Sequence, residues 1–360
     1  MKSVFRISLY SLSTAIALLV GIQCVFICAV LYFTKPSIFN FGSKVLRPSE
    51  PKQTIPESSN EVPQWYRYEN GHLHNTSFCN FKYGTRERFD LNNATVSSSV
   101  ELGPKSPYNV IYNVVEGSFQ FQDEENDGVT YCTHATPTYI HHVVELARRW
   151  DGPISVALYV PGFDAAISVL IVDHLCRCYP EMEKVSFHFV YPVIHPPDLT
   201  GLLQDSKSLV DFKSECTLPE SLLKGTLKTY RNDNDLIYPV NVHRNAARHA
   251  ALTSHILVSD IELLPSINFV PSFRKMLKKF TWNELHVFVL PVFEVEKTVK
   301  SIPKTKRQLQ RLYFDGEAVY FHRWVCLHCQ LFRGLLQWIH AEPTADLQVL
   351  IEVQQLLSTF

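Results

Sequence analysis

The stretch Ile256-Leu257-Val258-Ser259-Asp260-Ile261-Glu262 joins an apolar run to two carboxylates one residue apart. A short apolar run bounded by polar residues reads as a buried strand of a parallel sheet. In an open α/β sheet, the residues just past a strand's carboxyl end line the ligand crevice. Asp260 and Glu262 would therefore stand at the mouth of such a crevice. Two oxygen donors there suit a hard divalent cation, Mn2+ or Mg2+, which in turn grips a diphosphate. The plainer alternative is an acidic loop that solvates a strand end.

Working outward, strands and helices alternate. A helix from about Val240 to Leu252 leads into this strand, and another spans roughly 268 to 279. Residues 285–290 (Leu-His-Val-Phe-Val-Leu) read as a strand and 304–313 as a helix. Upstream, Val129–Cys132 is a strand. Ile140, Val143, Val144 and Leu146 recur at helical spacing over 138–150, stopped by Asp151-Gly152-Pro153. Ile154–Val160 is a strand, Ala165–Cys178 a helix and Val185–Tyr191 a strand. The alternation predicts an α/β fold with a mostly parallel, doubly wound sheet. The sequence has neither Gly-x-Gly-x-x-Gly nor Gly-Lys-Ser/Thr, so a nucleotide is expected to be held through metal rather than by a glycine cradle.

The flanks point to a membrane-anchored protein. Residues 1–6 form a short tail, and Ile7 to Thr34 carries no charge. About 20 apolar residues span a bilayer, so 7–34 reads as a transmembrane signal anchor in preference to a cleaved signal peptide, whose apolar core is shorter. Lys2 and Arg6 precede the span, while Lys35, Lys44 and Arg47 follow it, leaving orientation balanced on charge. The sequons at Asn75 and Asn93 place the long carboxyl-terminal part in the lumen, a type II arrangement. Residues 35–64, rich in Pro, Ser, Glu and Asn, read as an extended stem, and the folded domain is expected over 65–360.

Hydrophobic content of 46% supports a substantial core, and a net charge of -1 argues against a nucleic-acid partner. Of nine cysteines, Cys24 and Cys28 fall in the span. The remaining seven, an odd number, imply some disulfides and at least one thiol that is free or bonded to another chain. Cys326-x-x-Cys329 reads as disulfide material, with half a zinc site as the alternative.

Tyr238-Pro239-Val240-Asn241-Val242-His243-Arg244-Asn245-Ala246-Ala247-Arg248, followed by Ser259-Asp260-Ile261-Glu262-Leu263-Leu264-Pro265-Ser266, resembles a glycosyltransferase family. It is the one that contains beta-1,4-glucuronyltransferase and the second catalytic domain of the LARGE xylosyl/glucuronyltransferases, family 49. Trp150–Ala157, Val289–Glu294 and Trp338 are similar too, so the likeness covers roughly 128–340. The resemblance implies a GT-A fold, a Golgi type II enzyme of the hexosyltransferase kind, a UDP-sugar donor, Mn2+ and a glycoprotein glycan as acceptor, O-mannosyl glycans among the candidates. It matches Asp260 and Glu262 to a metal-binding Asp-x-Asp pair, with Glu in the second place. Asn241, Arg244 and Asn245 become donor-site candidates, Arg244 suiting an oxyanion, with a surface ion pair as its alternative. An inverting transferase needs a carboxylate to take the acceptor's proton. Glu294 is that candidate, against an ion-paired strand end. Tyr320–Trp324, His322 included, reads as structural first and acceptor-side second.

Relatives of this kind continue beyond the equivalent of Trp338 and include a later His that completes the metal site, whereas this chain stops at Phe360. Residues 344–360 read instead as an amphipathic helix. Two classes of function follow. One is a glucuronic-acid transferase, with xylose and N-acetylglucosamine (as in a beta-1,3-N-acetylglucosaminyltransferase) as other donors. The other is a catalytically silent, membrane-tethered scaffold.

Overall fold

A computed structural model describes residues 73–99, 105–119, 128–204, 209–212, 215–279, 287–326, 328, 331–344 and 346–349. The expected anchor 7–34 and the whole of the stem 35–64 lie outside the described residues, and so does most of the tail read as a helix. Among the described residues no helix is long and apolar enough to cross a membrane.

The main sheet has seven strands: β1 (Asn80–Phe81), β2 (Val96–Ser98), β3 (Tyr108–Glu116), β4 (Val129–Ala135), β5 (Ile154–Tyr159), β6 (Val185–Pro192) and β7 (His255–Val258). They run in the order β1-β3-β6-β5-β4-β7, with β2 also paired to β3. The four strands β6, β5, β4 and β7 are parallel, as the alternation predicts. The strands β1–β3 add an antiparallel wing to that core. Every residue of β4 and β5 is buried, as a central parallel strand requires, whereas β7 at the edge alternates partly buried and exposed positions.

Among the described residues, six α-helices of six residues or more accompany the sheets: α1 (Val143–Arg149), α2 (Asp164–Cys178), α3 (Val240–His249), α4 (Phe269–Leu277), α5 (Lys306–Phe314) and α6 (Leu335–His340). The helix expected over 138–150 is split, its first part a 3-10 turn at Pro137–His142 that begins on a proline.

The two faces of the sheet are unlike, and period-two alternation is the reason. Val156 and Leu158 of β5, with Phe187 and Phe189 of β6, join α1 and α2 in a large apolar core. The intervening Ser155, Ala157, Ser186 and His188 are small or polar, and that face meets α3 through Cys132, Ala157, Val190, Ala246 and Ala247. Ser155 Oγ donates to the Ala247 carbonyl at 2.7 Å and faces His188 Nε2 at 2.9 Å, while His188 Nδ1 accepts from the Asn113 N–H. Small side chains and these bonds seat α3 close against the sheet.

The amino ends of the strands are locked by Trp150-Asp151-Gly152-Pro153. Trp150 lies edge-on to Tyr131, stacks on Phe269 and donates Nε1–H to the Pro153 carbonyl. A Cβ at Gly152 would come 2.5 Å from the Val129 carbonyl oxygen, so only glycine fits that corner. This segment serves packing.

Two disulfides, Cys79–Cys176 and Cys178–Cys216, close on the last turn of α2; Cys132 is a free, buried thiol, and Cys326 is disulfide-bonded. The disulfide expectation therefore holds for Cys326. Two other expectations do not hold. Of the strand expected over 285–290, residues 287–290 are described and are irregular, with Val287 90% and Val289 64% exposed. The strand comes later, at β8 (Phe293–Val295), paired antiparallel with β9 (Ala318–Tyr320) in a separate two-stranded sheet. Among the described residues of the expected tail helix, 344 and 346–349, none is helical; Asp346 instead binds Lys279 and, more closely, Lys275 of α4.

Candidate active site

The carboxyl ends of β4, β5 and β7 carry the polar residues that matter. Asp260 follows β7. Tyr131 of β4 donates its hydroxyl to the Leu263 carbonyl at 2.7 Å and reaches the Asp260 carbonyl at 3.1 Å, and Ser259 N–H bonds the Cys132 carbonyl. Ile261, between the two acids, is 2% exposed and belongs to the main core. The loop is thus pinned between Asp260 and Glu262, which explains why an apolar residue separates them. Glu262 is exposed.

Asp260 is held on one oxygen. Arg244 Nη2 donates to its Oδ1 at 2.6 Å, and His134 Nε2 lies 3.3 Å from the same atom. These neighbours, His134 before Arg244, hold the Asp260 carboxyl at about 2, outweighing a partial burial that raises it. Oδ2 has no protein partner among the described residues.

Helix α3 delivers Arg244 by its periodicity. His243, Ala246 and Ala247 are buried against the sheet, which turns Asn241, Arg244, Asn245 and Arg248 to the opposite face. Arg244 and Asp260 are therefore brought together as an ion pair. Asn241 is exposed and Asn245 half-buried on that same face.

Sequence reasoning missed a layer behind Asp260. His134, at the end of β4 and 8% exposed, meets the Tyr238 hydroxyl through Nδ1 at 2.7 Å. Tyr238 packs against His243 and Tyr159, and the Arg231 guanidinium lies 5.8 Å from its ring. Asp164, fully buried at the start of α2, accepts the Tyr230 and Arg231 N–H groups at 2.7 and 3.1 Å. Gly162 has φ +51°, and a Cβ there would meet the Tyr230 ring at 2.5 Å. The one signal available was position: polar residues at the carboxyl ends of apolar strands.

Glu294 sits elsewhere. It lies on β8, and its Oε1 accepts the His322 N–H at 3.0 Å, in a turn where His322 takes φ +57°. Phe321 stacks on the His322 ring at 3.9 Å, and Arg323 lies over Tyr320 and Trp324. Among the described residues no hydrogen bond or ion pair joins Glu294 to Asp260, Arg244 or His134.

Does this donor set fit a divalent cation? Among the described residues no three His, Cys, Asp or Glu side chains gather to form a closed site. Mg2+-type ions, however, are commonly held by one or two carboxylates together with substrate phosphates. Asp260, with Oδ2 unpartnered among the described residues, is one carboxylate of that kind, and the exposed Glu262 follows it two residues later.

The family model described as "Glycosyl-transferase for dystroglycan" matches residues 128–358. Beta-1,4-glucuronyltransferase 1 of Danio rerio is 30% identical over 244 residues, which cover 65% of this chain and 56% of that protein. The Homo sapiens protein of the same name is 27% identical over 239 residues, 64% of this chain and 55% of its own length. Xylosyl- and glucuronyltransferase LARGE2s of Danio rerio is 21% identical over 208 residues, 57% of this chain and 22% of its length. The chain spans about half the length of the glucuronyltransferases it matches. The matched region contains β4 to β9 and the whole Asp260 cluster, and on that match the chain belongs to glycosyltransferase family 49.

Proposed function

We propose that this chain is a UDP-sugar-dependent glycosyltransferase with UDP-glucuronic acid as donor and a glycoprotein glycan as acceptor. The observation that carries this is Asp260 at the carboxyl end of β7, gripped on one oxygen by Arg244 and His134 within the family match. Membership of the family supports the reaction class, and the names of the relatives support glucuronic acid over xylose or N-acetylglucosamine.

Asp260 Oδ2 and Glu262 would hold Mn2+ or Mg2+ jointly with the donor diphosphate. Bound there, the cation supplies charge neutralisation and Lewis acidity to the leaving group. Arg244, a planar fork beside that position, is suited to a diphosphate oxygen, with Asn241 and Asn245 on the same helix face. Glu294 is proposed as the base: the acceptor oxygen bonds to the sugar's anomeric carbon, the bond to UDP breaks with inversion, and Glu294 takes the hydroxyl proton. The His322 N–H holds the other end of that carboxylate in place.

The proposed setting is the Golgi lumen, with the chain anchored as a single-pass type II protein by residues 7–34. Disulfides persist in oxidising compartments, and both sequon asparagines, Asn75 and Asn93, are exposed, which supports a luminal domain.

The test is the melting point of the purified full-length chain with Mn2+ and UDP-glucuronic acid, UDP-xylose or UDP-N-acetylglucosamine in turn. A ligand at about 100 times its Kd stabilises the fold by roughly 2.7 kcal/mol. A metal-dependent rise with UDP-glucuronic acid alone is expected, and Asp260→Asn should abolish it along with transfer. A clean melt that ignores all three donors would favour the silent scaffold instead.

A further inference from the structure

We propose that His134 and Tyr238 form a positioning pair for Asp260: the Tyr238 hydroxyl fixes the His134 ring, and His134 Nε2–H holds Asp260 Oδ1 so that Oδ2 stays available to the donor-site cation. The cation part rests on the reading of Asp260 given above. The positioning part rests on geometry alone.

Each ring nitrogen of His134 faces a single group. Nδ1 is 2.7 Å from the Tyr238 oxygen. Nε2 is buried and lies 3.3 Å from Asp260 Oδ1, within ion-pair distance but without the alignment of a hydrogen bond, and no other group among the described residues bonds to it. An ionised carboxylate only accepts, so the proton on that side belongs to Nε2. A ring carrying one proton then offers a lone pair at Nδ1, and the Tyr238 O–H donates to it. Donation runs one way, from Tyr238 to His134 to Asp260. A second group orienting a ligand's partner in this manner is how metal-site side chains are commonly fixed.

Tyr238 is well placed for the task because it cannot swing aside. Its ring packs 4.8 Å from His243 and 5.6 Å from Tyr159, centroid to centroid, with the Arg231 guanidinium on it. His243 in turn is fully buried, its Nδ1 fixed by the Pro239 carbonyl at 2.8 Å. Arg244, the other side chain on Oδ1, is 38% exposed and is the group a diphosphate would draw toward itself. Once a donor binds, His134 is the contact that remains to keep Oδ1 in place. Truncating Tyr238 by its hydroxyl alone leaves the packing intact and removes only the orienting bond.

The experiment compares the full-length wild type with Tyr238→Phe and His134→Phe. Mn2+ affinity is measured in the presence of UDP from the spectrum of free Mn2+, and the His134 tautomer from its imidazole nitrogen chemical shifts. Partners of metal ligands typically change metal affinity by roughly 10- to 100-fold. Tyr238→Phe is expected to weaken Mn2+ binding about 10-fold with little change in melting point, and to release the single Nε2–H tautomer seen in the wild type. His134→Phe is expected to weaken it at least as much. The proposal is overturned if both variants bind Mn2+ within about twofold of wild type, or if Nδ1 carries the proton in the wild type. A wild type that binds no Mn2+ with UDP, yet shows the Nε2–H tautomer and loses it in Tyr238→Phe, would sink the metal reading of Asp260 and leave the positioning pair standing.

Discussion

At Asp164, burial and hydrogen bonding pull in opposite directions. The carboxylate accepts two backbone N–H groups, which favours ionisation, yet burial dominates and pushes the carboxyl up from its ordinary 3.8 to about 6. Between about pH 4 and 6 the folded protein therefore keeps a proton that the unfolded chain has lost. The contribution of Asp164 to stability therefore falls as pH rises through that window, by an amount on the order of 3 kcal/mol for a two-unit difference. Asp260 has the reverse sign. Its folded value of about 2 lies below the ordinary one, so its contribution is present above pH 3.8 and is lost as pH falls toward 2. It is about one-third exposed, which screens that contribution, and it is silent between pH 4 and 6. Asp164→Asn should accordingly flatten the pH dependence of the urea midpoint between pH 4 and 6. Whatever constant cost the amide adds, it is the slope that is compared. Equal slopes for variant and wild type would show that Asp164 does not titrate there.

At the scale of elements, α3 is the part that matters, since it carries Arg244 and rests on the sheet through alanines. Ala247 is fully buried and its carbonyl is bonded by Ser155. Ala247→Leu should overpack that contact at a cost of roughly 1–3 kcal/mol and, by lifting the helix, raise KM for the donor. A variant with wild-type KM and a lower melting point would instead confine Ala247 to packing. The same element shows what the sequence made legible. Alternating strands and helices from residue 129 onward were readable because each buried strand is a short apolar run and each helix shows a periodic face. Strand β3 was not, since Tyr108–Glu116 buries its residues in pairs around a bulge, with Asn113 at φ +53°, and breaks the period of two. Residues 287–290 misled in the other direction, because Val287 and Val289 face solvent while Phe288 packs on Phe273 without any strand pairing. Within the site, Asp260 and Arg244 were legible from their places after β7 and on the helix before it. His134 and Tyr238 were not: a single histidine at a strand end has no pattern, and their contact spans 104 residues of sequence.

The described domain is organised along α2, which starts at the crevice and ends at the disulfides. Its first residue, Asp164, shapes the loop that brings Arg231 to Tyr238. Its last turn bears Cys176 and Cys178, and the carbonyls of Cys176 and Arg177 accept the N–H groups of Phe78 and His74. Those bonds satisfy carbonyls that a helix end would otherwise leave unpaired. Fifteen residues at about 1.5 Å each separate the two ends by roughly 20 Å. The bridges close sequence separations of 97 and 38 residues, for which chain entropy gives about 4 to 5 kcal/mol each, an upper range that strain and residual structure reduce. Replacing Cys178 and Cys216 together by serine should then lower the unfolding free energy by about 2–4 kcal/mol. At a temperature where the variant is still folded, its metal-dependent affinity for UDP should match the wild type, because the bridge lies at the far end of the helix from Asp164. Denaturant unfolding gives the first quantity and a UDP titration with Mn2+ the second. Lost affinity in a fully folded variant would mean that the far end of α2 governs the crevice, and that the site and the disulfides form one mechanical unit.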